Sequence, residues 1–346
     1  MIGTNHQARD AGPVAAGSNS KRQLVVNWHL TEACNYECDF CYAKWVKPKE
    51  RELIHDAERT RNLLKQLFAL FRRGSEMGSS GNERPWDSVR LNVAGGEPLL
   101  YRKETLAAVS FVRDIGFDVS MITNGSLLNR TLLEELAPKL SLLGISVDSV
   151  QEGVNRGIGR ADKRTGKAFD LDAVASSFCL AREYNPLLHL KINTVVNALN
   201  WQEDLTPAIR HLAPGKWKVL QMLPVRNSNL AVSDAQFSEF VARHSALGDI
   251  MNVEDNESMT ESYIMVDPLG RFFQNTSAGE GQYRYSRPIL QIGARDAFSE
   301  LTWSQSKFLS RYSHSHMEAG YPQAQAKPVA NVSRYPVFQL REAAAC

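Results

Sequence analysis

Strand-like and helix-like segments alternate along most of this chain, from about residue 23 to residue 225. The strand-like segments are short and apolar: QLVVNWHL, SVRLNV, FDVSMI, LLGISV, LLHLKINTVV and WKVLQMLPV. The segments between them place apolar residues at helical spacing, as in RELIHDAERTRNLLKQLFALFRR. About six β-then-α units of this kind predict a parallel sheet covered by helices, either doubly wound or closed into a barrel.

Glycine-rich and polar motifs follow several of these strands. A cysteine-containing loop follows the first strand, AGGEP (94–98) follows the second, TNGS (123–126) the third and ISVDS (145–149) the fourth. The carboxyl ends of parallel strands meet at one edge of the sheet, where α/β folds bind their ligands. We therefore expect these motifs to form one site.

The pattern changes at both ends of this region. Residues 1–22 are expected to be a disordered lead, and residues 313–346, rich in Pro, Gln, Ala and Ser, a flexible tail. Between the core (23–225) and the tail, residues 226–312 are expected to form an extension that closes the substrate site. The extension contains a helix capped by Ser233 and two short strands about the turn DPLG in ESYIMVDPLGRFFQN.

Composition and charge restrict the possible partners and compartment. The formal net charge is +2 over 346 residues, which favours neither a nucleic-acid partner nor a membrane surface. The first twenty residues resemble neither a signal peptide nor an amphipathic anchor. Five cysteines are few and odd in number, so we expect a reduced, cytoplasmic protein whose thiols are available to bind metal.

Three of the five cysteines lie within eight residues of CNYECDFCYAKW, as Cys34, Cys38 and Cys41. Structural zinc sites usually have four protein ligands in paired Cys-x-x-Cys units, and this chain has no second pair. His29 and His55 are possible fourth ligands for zinc. Three close thiolates better suit a [4Fe–4S] cluster with one iron left open to a small molecule. Three buried thiols without metal are the remaining alternative.

The spacing CxxxCxxC followed by Tyr42 resembles the signature of the radical S-adenosylmethionine (SAM) superfamily. The resemblance implies an α/β fold, a partial (β/α)6 TIM-like barrel of the radical SAM type, here with the C-terminal extension. It also implies two cofactors, a [4Fe–4S] cluster and SAM, which chelates the open iron and is cleaved by one electron to a 5′-deoxyadenosyl radical.

Further residues match the SAM-binding motifs of that superfamily. AGGEP resembles its GGE motif, which implies that Gly95, Gly96 and Glu97 hold the methionine amino group. The remaining residues implied to lie near SAM are Asn124, Ser126, Ser146 and Arg160, the last at the SAM carboxylate. Without the resemblance, Asn124 and the glycine after it could simply form a tight turn.

The closer resemblance is to viperin-like enzymes, the SAM-dependent nucleotide dehydratases, from about Val25 to about Phe298. The pieces that carry it are VNWHL, CNYECDFCYAKW, GGEPLL, TNGSLL, ISVDS, IGR, LKINTVVN, KWKVLQML, ESYIMVDPLGRFFQN and PILQIG. It implies that CTP, UTP or GTP loses its 4′ hydrogen and its 3′-hydroxyl. The product, a 3′-deoxy-3′,4′-didehydro nucleotide, would terminate polymerase chains and serve antiviral (phage) defence. A flavodoxin- or ferredoxin-type electron donor and a monomeric enzyme are also expected.

Lysines on two neighbouring strands provide a place for a triphosphate. The two-residue period of a strand puts Lys191 on the same face as Asn193, and Lys216 on the same face as Lys218. Lysines at adjacent strand ends can converge on phosphate oxygens, although they could instead extend into solvent. The family often has Arg at the position of Lys216, which makes Lys218 the stronger candidate.

Other roles are implied by the resemblance alone. Asn27 matches an asparagine near the nucleobase, and Tyr263 a tyrosine near the sugar and phosphates. Arg287, or alternatively Arg284, stands where the family has a C-terminal phosphate-binding lysine. Tyr263 and Lys218 are the candidate catalytic residues for the proton that accompanies loss of the 3′-hydroxyl, with bound water as a further source.

Two other functions stay open from the sequence. The first is a radical SAM enzyme that modifies a peptide or another metabolite, although a second cysteine-rich cluster is missing: Cys179 falls in a predicted helix and Cys346 ends the chain. The second is a zinc-stabilised binding module without catalysis.

Overall fold

The computed structural model describes residues 22–43, 51–75, 86–224, 228–276 and 283–311 of the 346. The strands are β1 (Gln23–His29), β2 (Ser88–Ala94), β3 (Asp118–Thr123), β4 (Leu142–Ser146), β5 (His189–Val196), β6 (Lys216–Gln221), β7 (Met251–Glu254), β8 (Ile264–Val266), β9 (Arg271–Asn275) and β10 (Tyr283–Pro288).

Helices alternate with the strands up to β6, and five further helices follow later in the described chain. They are α1 (Ala57–Phe71), α2 (Arg102–Asp114), α3 (Arg130–Leu136), α4 (Glu152–Ile158), α5 (Leu171–Tyr184), α6 (Thr206–Leu212), α7 (Asp234–Arg243), α8 (Asn256–Met259), α9 (Ile289–Ile292), α10 (Ala294–Ser299) and α11 (Gln305–Ser310). Short 3₁₀ helices occupy Leu53–His55, Pro98–Tyr101, Ala137–Lys139 and Ser245–Leu247.

The strands form one sheet in the order β10-β9-β8-β1-β2-β3-β4-β5-β6-β7. The eight strands from β8 to β7 are parallel, while β9 and β10 pair antiparallel at one edge. Over the described residues the order ends at β7 on one side and β10 on the other, so the sheet is open. The predicted α/β partial barrel is confirmed.

Strands β1 to β6 each pack an apolar face against the helices and turn the other face inward. In β1, Leu24, Val26 and Trp28 are at most 1% exposed and belong to the main hydrophobic core, whereas the alternate residue Asn27 lines an interior cavity. The two-residue period of a strand thus separates the residues that stabilise the fold from those that face the barrel interior.

The predicted elements occur at or near their expected positions, and several further, short elements were not predicted from the sequence. The expected cap of α7 is confirmed, because the Ser233 hydroxyl accepts a hydrogen bond from the Gln236 amide in a capping box. The elements that were not predicted are β7, β10, α4, α8, α9, α10 and α11. β7 is four residues long (MNVE), too short and too polar for its alternation to be recognised.

The predicted tail (313–346) lies outside the described residues, as does the predicted lead (1–22) except for Arg22. In the part of the chain that the structure describes, we find no helix with the length and hydropathy needed to cross a bilayer.

Candidate active site

A cavity of about 250 Å³ lies at the carboxyl ends of the parallel strands, bounded also by the segment that leads into β8. Most of the site residues predicted from the sequence line it. They are Asn27, Cys34, Cys38, Cys41, Gly95, Gly96, Asn124, Ser146, Arg160, Lys191, Asn193, Lys218 and Tyr263. Glu97, Ser126, Lys216 and Arg287 are not among the lining residues.

The cysteine loop follows β1 and is held by backbone hydrogen bonds from two other segments. The amides of Glu37 and Asp39 donate to the carbonyls of Gly159 and Ile158, at 3.1 and 3.0 Å. The loop carbonyl of Ala33 accepts from the Glu97 amide at 2.8 Å. The loop therefore depends on the glycine motif after β2 and on the turn after α4 for its shape.

The glycine motif approaches the cysteine loop so closely that it leaves no room for a side chain. A Cβ atom on Gly96 would lie 2.1 Å from the Ala33 carbonyl oxygen, and one on Gly95, whose φ is +125°, would lie 2.6 Å from that of Thr31. Backbone atoms cannot move aside as a flexible side chain can. The sequence GG is thus required by this contact between two loops.

None of the three loop cysteines is in a disulfide, and all three face the same cavity. Burial raises the pKa of the Cys38 thiol to about 12 and also raises that of Cys34. The Tyr36 amide and the Asn124 side-chain amide contact the Cys34 sulfur at 3.4 and 3.9 Å, as donors suited to an anionic sulfur ligand. Within the described ranges no three His, Cys, Asp or Glu side chains are arranged to hold a single metal ion. The donor set, three thiols on one cavity wall, fits an iron–sulfur cluster.

Glu97 is fully buried behind the glycine motif. Its carboxylate accepts hydrogen bonds from the Leu99 amide (3.0 Å), the Thr123 hydroxyl (2.7 Å) and the Asn124 amide (2.8 Å). These bonds tie the end of β2 to the end of β3. A carboxylate has about four acceptor sites, so these three bonds use most of its capacity.

Asn124 joins the third strand end to the cysteine loop. Its amide nitrogen donates to the Asn35 side-chain oxygen at 2.9 Å, and its own side-chain oxygen accepts from the Ser126 hydroxyl at 2.6 Å. Asn35 in turn donates to Ser126 and to Asp162, both at 2.9 Å. Ser126 is exposed and takes part in the site through this network rather than by lining the cavity.

Arg160 is buried at the cavity wall and has a buried acidic partner. Its guanidinium lies 2.9 Å from the Asp148 carboxylate and donates to the Ser146 carbonyl at 2.7 Å, with side-chain exposures of 5% for Arg160 and 1% for Asp148. Asp148 also accepts from the Val195 amide at 2.7 Å. Asp148 therefore fixes the guanidinium between β4 and β5.

An Asp148→Asn variant is expected to unfold about 3 kcal/mol more easily, because Arg160 would become an uncompensated buried charge. Denaturant unfolding measures this loss. The matched control, Glu152→Gln, breaks the exposed pair between Glu152 and Arg156 and should cost less than about 0.5 kcal/mol. Equal costs for both variants would contradict the role given to Asp148.

Asn27 belongs to a ladder of side-chain hydrogen bonds inside the barrel. Its amide nitrogen donates to the Ile264 carbonyl at 3.2 Å, and its oxygen accepts from Asn92 at 2.9 Å. The Asn92 oxygen accepts from the Ser120 hydroxyl at 2.8 Å. The ladder crosses four neighbouring strands, β8, β1, β2 and β3, and gives the cavity a polar wall.

Strands β5 and β6 carry the predicted lysines on their inward faces, with Lys191 opposite Lys216 and Asn193 opposite Lys218. Burial, and then the positive charges of Lys218 and Lys216, hold the pKa of Lys191 well below its usual range. Burial likewise lowers the pKa of Lys216 to about 8. The Asn193 side-chain oxygen is buried without a hydrogen-bond partner among the described residues. Of these groups, the Asn193 oxygen and the Lys191 ammonium would each gain a polar partner from a bound ligand.

Lys218 belongs to a group of four residues, the Lys218 cluster: the buried Lys218, Glu254 and Arg311 and the half-buried Tyr263. The Lys218 ammonium lies 2.6 Å from the Glu254 carboxylate and 2.8 Å from the Tyr263 hydroxyl, which itself donates to Glu254. The Arg311 guanidinium lies 3.2 Å from Glu254 and 3.4 Å from the centre of the Tyr263 ring. Burial lowers the pKa of Lys218 to about 7, against the opposing effect of Glu254.

Arg287 lies away from this site. Its guanidinium pairs with Glu300 at 2.6 Å, and its side chain is 66% exposed. Sequence reasoning did not identify Asp148, Glu254, Arg311 or Arg90, which faces the barrel interior from β2 below Asn92. Asp148 had a signal, since it stands inside the ISVDS motif and a buried arginine requires a carboxylate.

Comparison with known proteins agrees with this geometry. A family model described as the radical SAM superfamily matches residues 28–169. An S-adenosylmethionine-dependent nucleotide dehydratase from Psychrobacter lutiphocae is 40% identical over 298 residues, which cover 86% of this chain and 97% of that protein. Another, from Pseudoalteromonas ulvae, is 39% identical over 302 residues, 86% of this chain and 96% of that protein.

The fold is also similar to that of a solved structure, anSMEcpe with bound AdoMet. The TM-score is 0.57 at 14% sequence identity, over 83% of this chain and 82% of that one. With the cysteine loop, the glycine motif and two relatives that match over most of their length, the family is established. The chain belongs to the S-adenosylmethionine-dependent nucleotide dehydratases of the radical SAM superfamily.

Proposed function

We propose that this radical SAM enzyme acts on a ribonucleoside triphosphate, CTP, UTP or GTP, and converts it to the 3′-deoxy-3′,4′-didehydro nucleotide. One observation carries the proposal: the cavity that holds the three thiols also holds Lys191, Asn193 and Lys218. A cationic, incompletely satisfied wall inside a buried cavity suits a ligand with several negative charges.

The cofactors of this family, a [4Fe–4S] cluster and SAM, have suitable residues at one end of the cavity. Cys34, Cys38 and Cys41 would hold the cluster. Residues proposed to hold or surround SAM are Gly95, Gly96, Glu97, Asn124, Ser126, Ser146 and Arg160. When bound, these cofactors supply the one-electron chemistry that removes a hydrogen atom from a carbon of the substrate.

The triphosphate would lie along β5 and β6. Lys191 and Asn193 offer a cation and an amide on one strand, and Lys218 offers a second cation on the next. Lys216 and Arg90 face the interior one layer below and add positive charge. Asn27 would approach the base, although much of its hydrogen-bonding capacity is used within the strand ladder. This arrangement fixes the ribose between phosphates and cofactor, where reacting atoms must come within about 3–4 Å.

We assign the proton for loss of the 3′-hydroxyl to Lys218 rather than to Tyr263. The single proton of the Tyr263 hydroxyl is donated to Glu254, whereas Lys218 has three N–H groups. After the 4′ hydrogen atom has left, the C3′–O bond breaks and the C3′=C4′ double bond forms. The oxygen leaves as water with one proton from Lys218, and one electron from a flavodoxin- or ferredoxin-type donor completes the balance.

Other features of the proposal concern the whole chain. Residues 23–225 would form the catalytic core, and residues 226–312 would close the substrate site, since Tyr263 and Tyr283 line the cavity. We further propose a cytoplasmic monomer that makes the chain-terminating nucleotide for antiviral defence.

The test is anaerobic reconstitution with iron, sulfide, SAM and dithionite, followed by CTP, UTP and GTP in separate reactions. Mass spectrometry should detect 5′-deoxyadenosine together with a nucleotide lighter by one water. Lys218→Met should lose the product while the reconstituted protein keeps its iron content. If 5′-deoxyadenosine forms only at a background rate with every nucleotide, a nucleotide is not the substrate.

A further inference from the structure

We propose that Glu254 is a positioning residue that aims Lys218 at the substrate, and that Arg311 balances the charge of Glu254. The inference rests on the proposed function, because it assigns a role to residues behind the phosphate-binding face. Glu254 is the last residue of β7, Lys218 lies in β6, and Arg311 follows α11. Folding brings them together from three separate parts of the chain.

The contacts determine how many N–H groups Lys218 can offer. One is directed to the Glu254 carboxylate at 2.6 Å and a second to the Tyr263 hydroxyl at 2.8 Å. An ammonium has three N–H groups, so one is left for the cavity that Lys218 lines. Since two bonds fix the nitrogen, the direction of the third is determined before a ligand arrives.

The same contacts control the charge of Lys218. Its side chain is 10% exposed, and burial disfavours the ammonium form. The Glu254 carboxylate raises the pKa of Lys218, whereas the positive charges of Arg311 and Lys216 lower it. Glu254 is itself held ionised: although burial alone would raise its pKa, the charges of Lys218 and Arg311 lower it to about 2. Glu254 is therefore a carboxylate throughout the neutral range.

Every segment packed around Lys218 contributes to this balance. Among the described residues, the charged and titratable groups around it are Lys191 on β5, Lys216 on β6, Glu254 on β7, Tyr263 before β8 and Arg311 after α11, with Arg90 on β2 acting on the two other lysines. Glu254 is the only carboxylate among these groups. Its removal should therefore deprotonate Lys218 near neutral pH.

The test measures nucleotide affinity against pH, with protein that carries its reconstituted cluster and with CTP as the probe. Wild-type affinity should fall above pH 7, where Lys218 loses its proton. Glu254→Gln should move that fall to lower pH. The dissociation constant should rise about threefold over wild type at pH 6 and about tenfold or more at pH 8, since one pKa unit corresponds to a factor of ten.

A second variant should shift the profile in the opposite direction. Arg311→Met removes a charge that acts against the Lys218 proton, so the fall in affinity should move to higher pH. Glu254→Asp keeps the carboxylate and should restore part of the wild-type profile. The matched control is Glu239→Gln, which breaks the Glu239–Arg243 pair on α7 and should leave the profile unchanged.

The outcomes separate this inference from the proposed function. If wild-type protein binds neither CTP, UTP, GTP nor inorganic triphosphate, the proposed function fails. If wild type binds and Glu254→Gln follows the same pH profile, binds more tightly at every pH or loses affinity equally at every pH, the positioning role of Glu254 is refuted. Circular dichroism of each variant identifies any loss that results from misfolding, and Glu254→Asp then decides the question.

Discussion

A Gly96→Ala variant is expected to lose both its iron–sulfur cluster and much of its stability. The added Cβ would lie 2.1 Å from the Ala33 carbonyl oxygen, a backbone atom next to Cys34. Either the cysteine loop or the end of β2 must move, and the Glu97-to-Ala33 backbone hydrogen bond breaks with it. Overpacking a rigid contact of this kind costs about 3 kcal/mol. Iron content per chain after reconstitution and the midpoint of denaturant unfolding measure the two effects.

Gly153→Ala is the matched control for this variant. Gly153 lies in α4, and a Cβ there would meet no atom within 4 Å. Alanine in a helix should leave the protein equally stable or up to about 1 kcal/mol more stable, with normal iron content. If Gly96→Ala also takes up iron normally, the contact between the two loops does not shape the cluster site.

Replacement of Lys191 by methionine is expected to change stability and substrate affinity in opposite directions. Within the described residues the Lys191 ammonium makes no ion pair or side-chain hydrogen bond, and burial holds its pKa well below the usual range. Met fills the same space without a buried polar nitrogen, so the nucleotide-free variant should be more stable by about 1–3 kcal/mol. Loss of a charge-assisted hydrogen bond should weaken nucleotide binding about 10- to 100-fold.

The difference in stability between Lys191→Met and wild type should depend on pH in a defined direction. The lowered pKa means that unfolded Lys191 binds its proton where folded Lys191 does not, so wild-type stability rises with pH towards the unfolded pKa. The advantage of Lys191→Met should accordingly be largest near neutral pH and shrink in alkaline solution. Chemical denaturation and titration calorimetry supply the two measurements.

Lys167→Met is the control for Lys191→Met. Lys167 is 71% exposed and pairs with Asp170, so its replacement should change the free energy of unfolding by less than about 0.5 kcal/mol. Nucleotide affinity should not change. A Lys191→Met variant that is less stable than wild type would mean that the ammonium has a stabilising partner in the folded protein.

The residues that sequence reasoning identified are those whose chemistry is local. The chemistry of each motif is apparent from a few neighbouring residues. The motifs are three cysteines in one loop, a double glycine after a strand, and lysines two residues apart. The structure brings Cys34, Gly96 and Lys218 to one cavity, because the carboxyl ends of parallel strands meet at one edge.

The residues that it did not identify depend on long-range pairing. Glu254 is one of many acidic residues and follows no recognisable motif; only folding places it beside Lys218 and Arg311. Arg287 shows the opposite error, because the sequence predicted it as a site residue and the structure places it elsewhere. A suitable residue type at a suitable distance along the chain lies outside the cavity, because its guanidinium is paired with Glu300 on the surface.

The contact between β7 and the residues before β8 couples ligand binding to the packing of the barrel wall. We call this contact the joint between β7 and β8. Within the described residues these two parallel strands share no ladder, and the side chains of Glu254 and Tyr263 meet across that joint. Lys218 is bonded to both. A bound anion that attracts the Lys218 ammonium must therefore compete with its bonds to Glu254 and Tyr263. Ligand binding and the contact between these two segments of the barrel wall thus depend on the same few atoms.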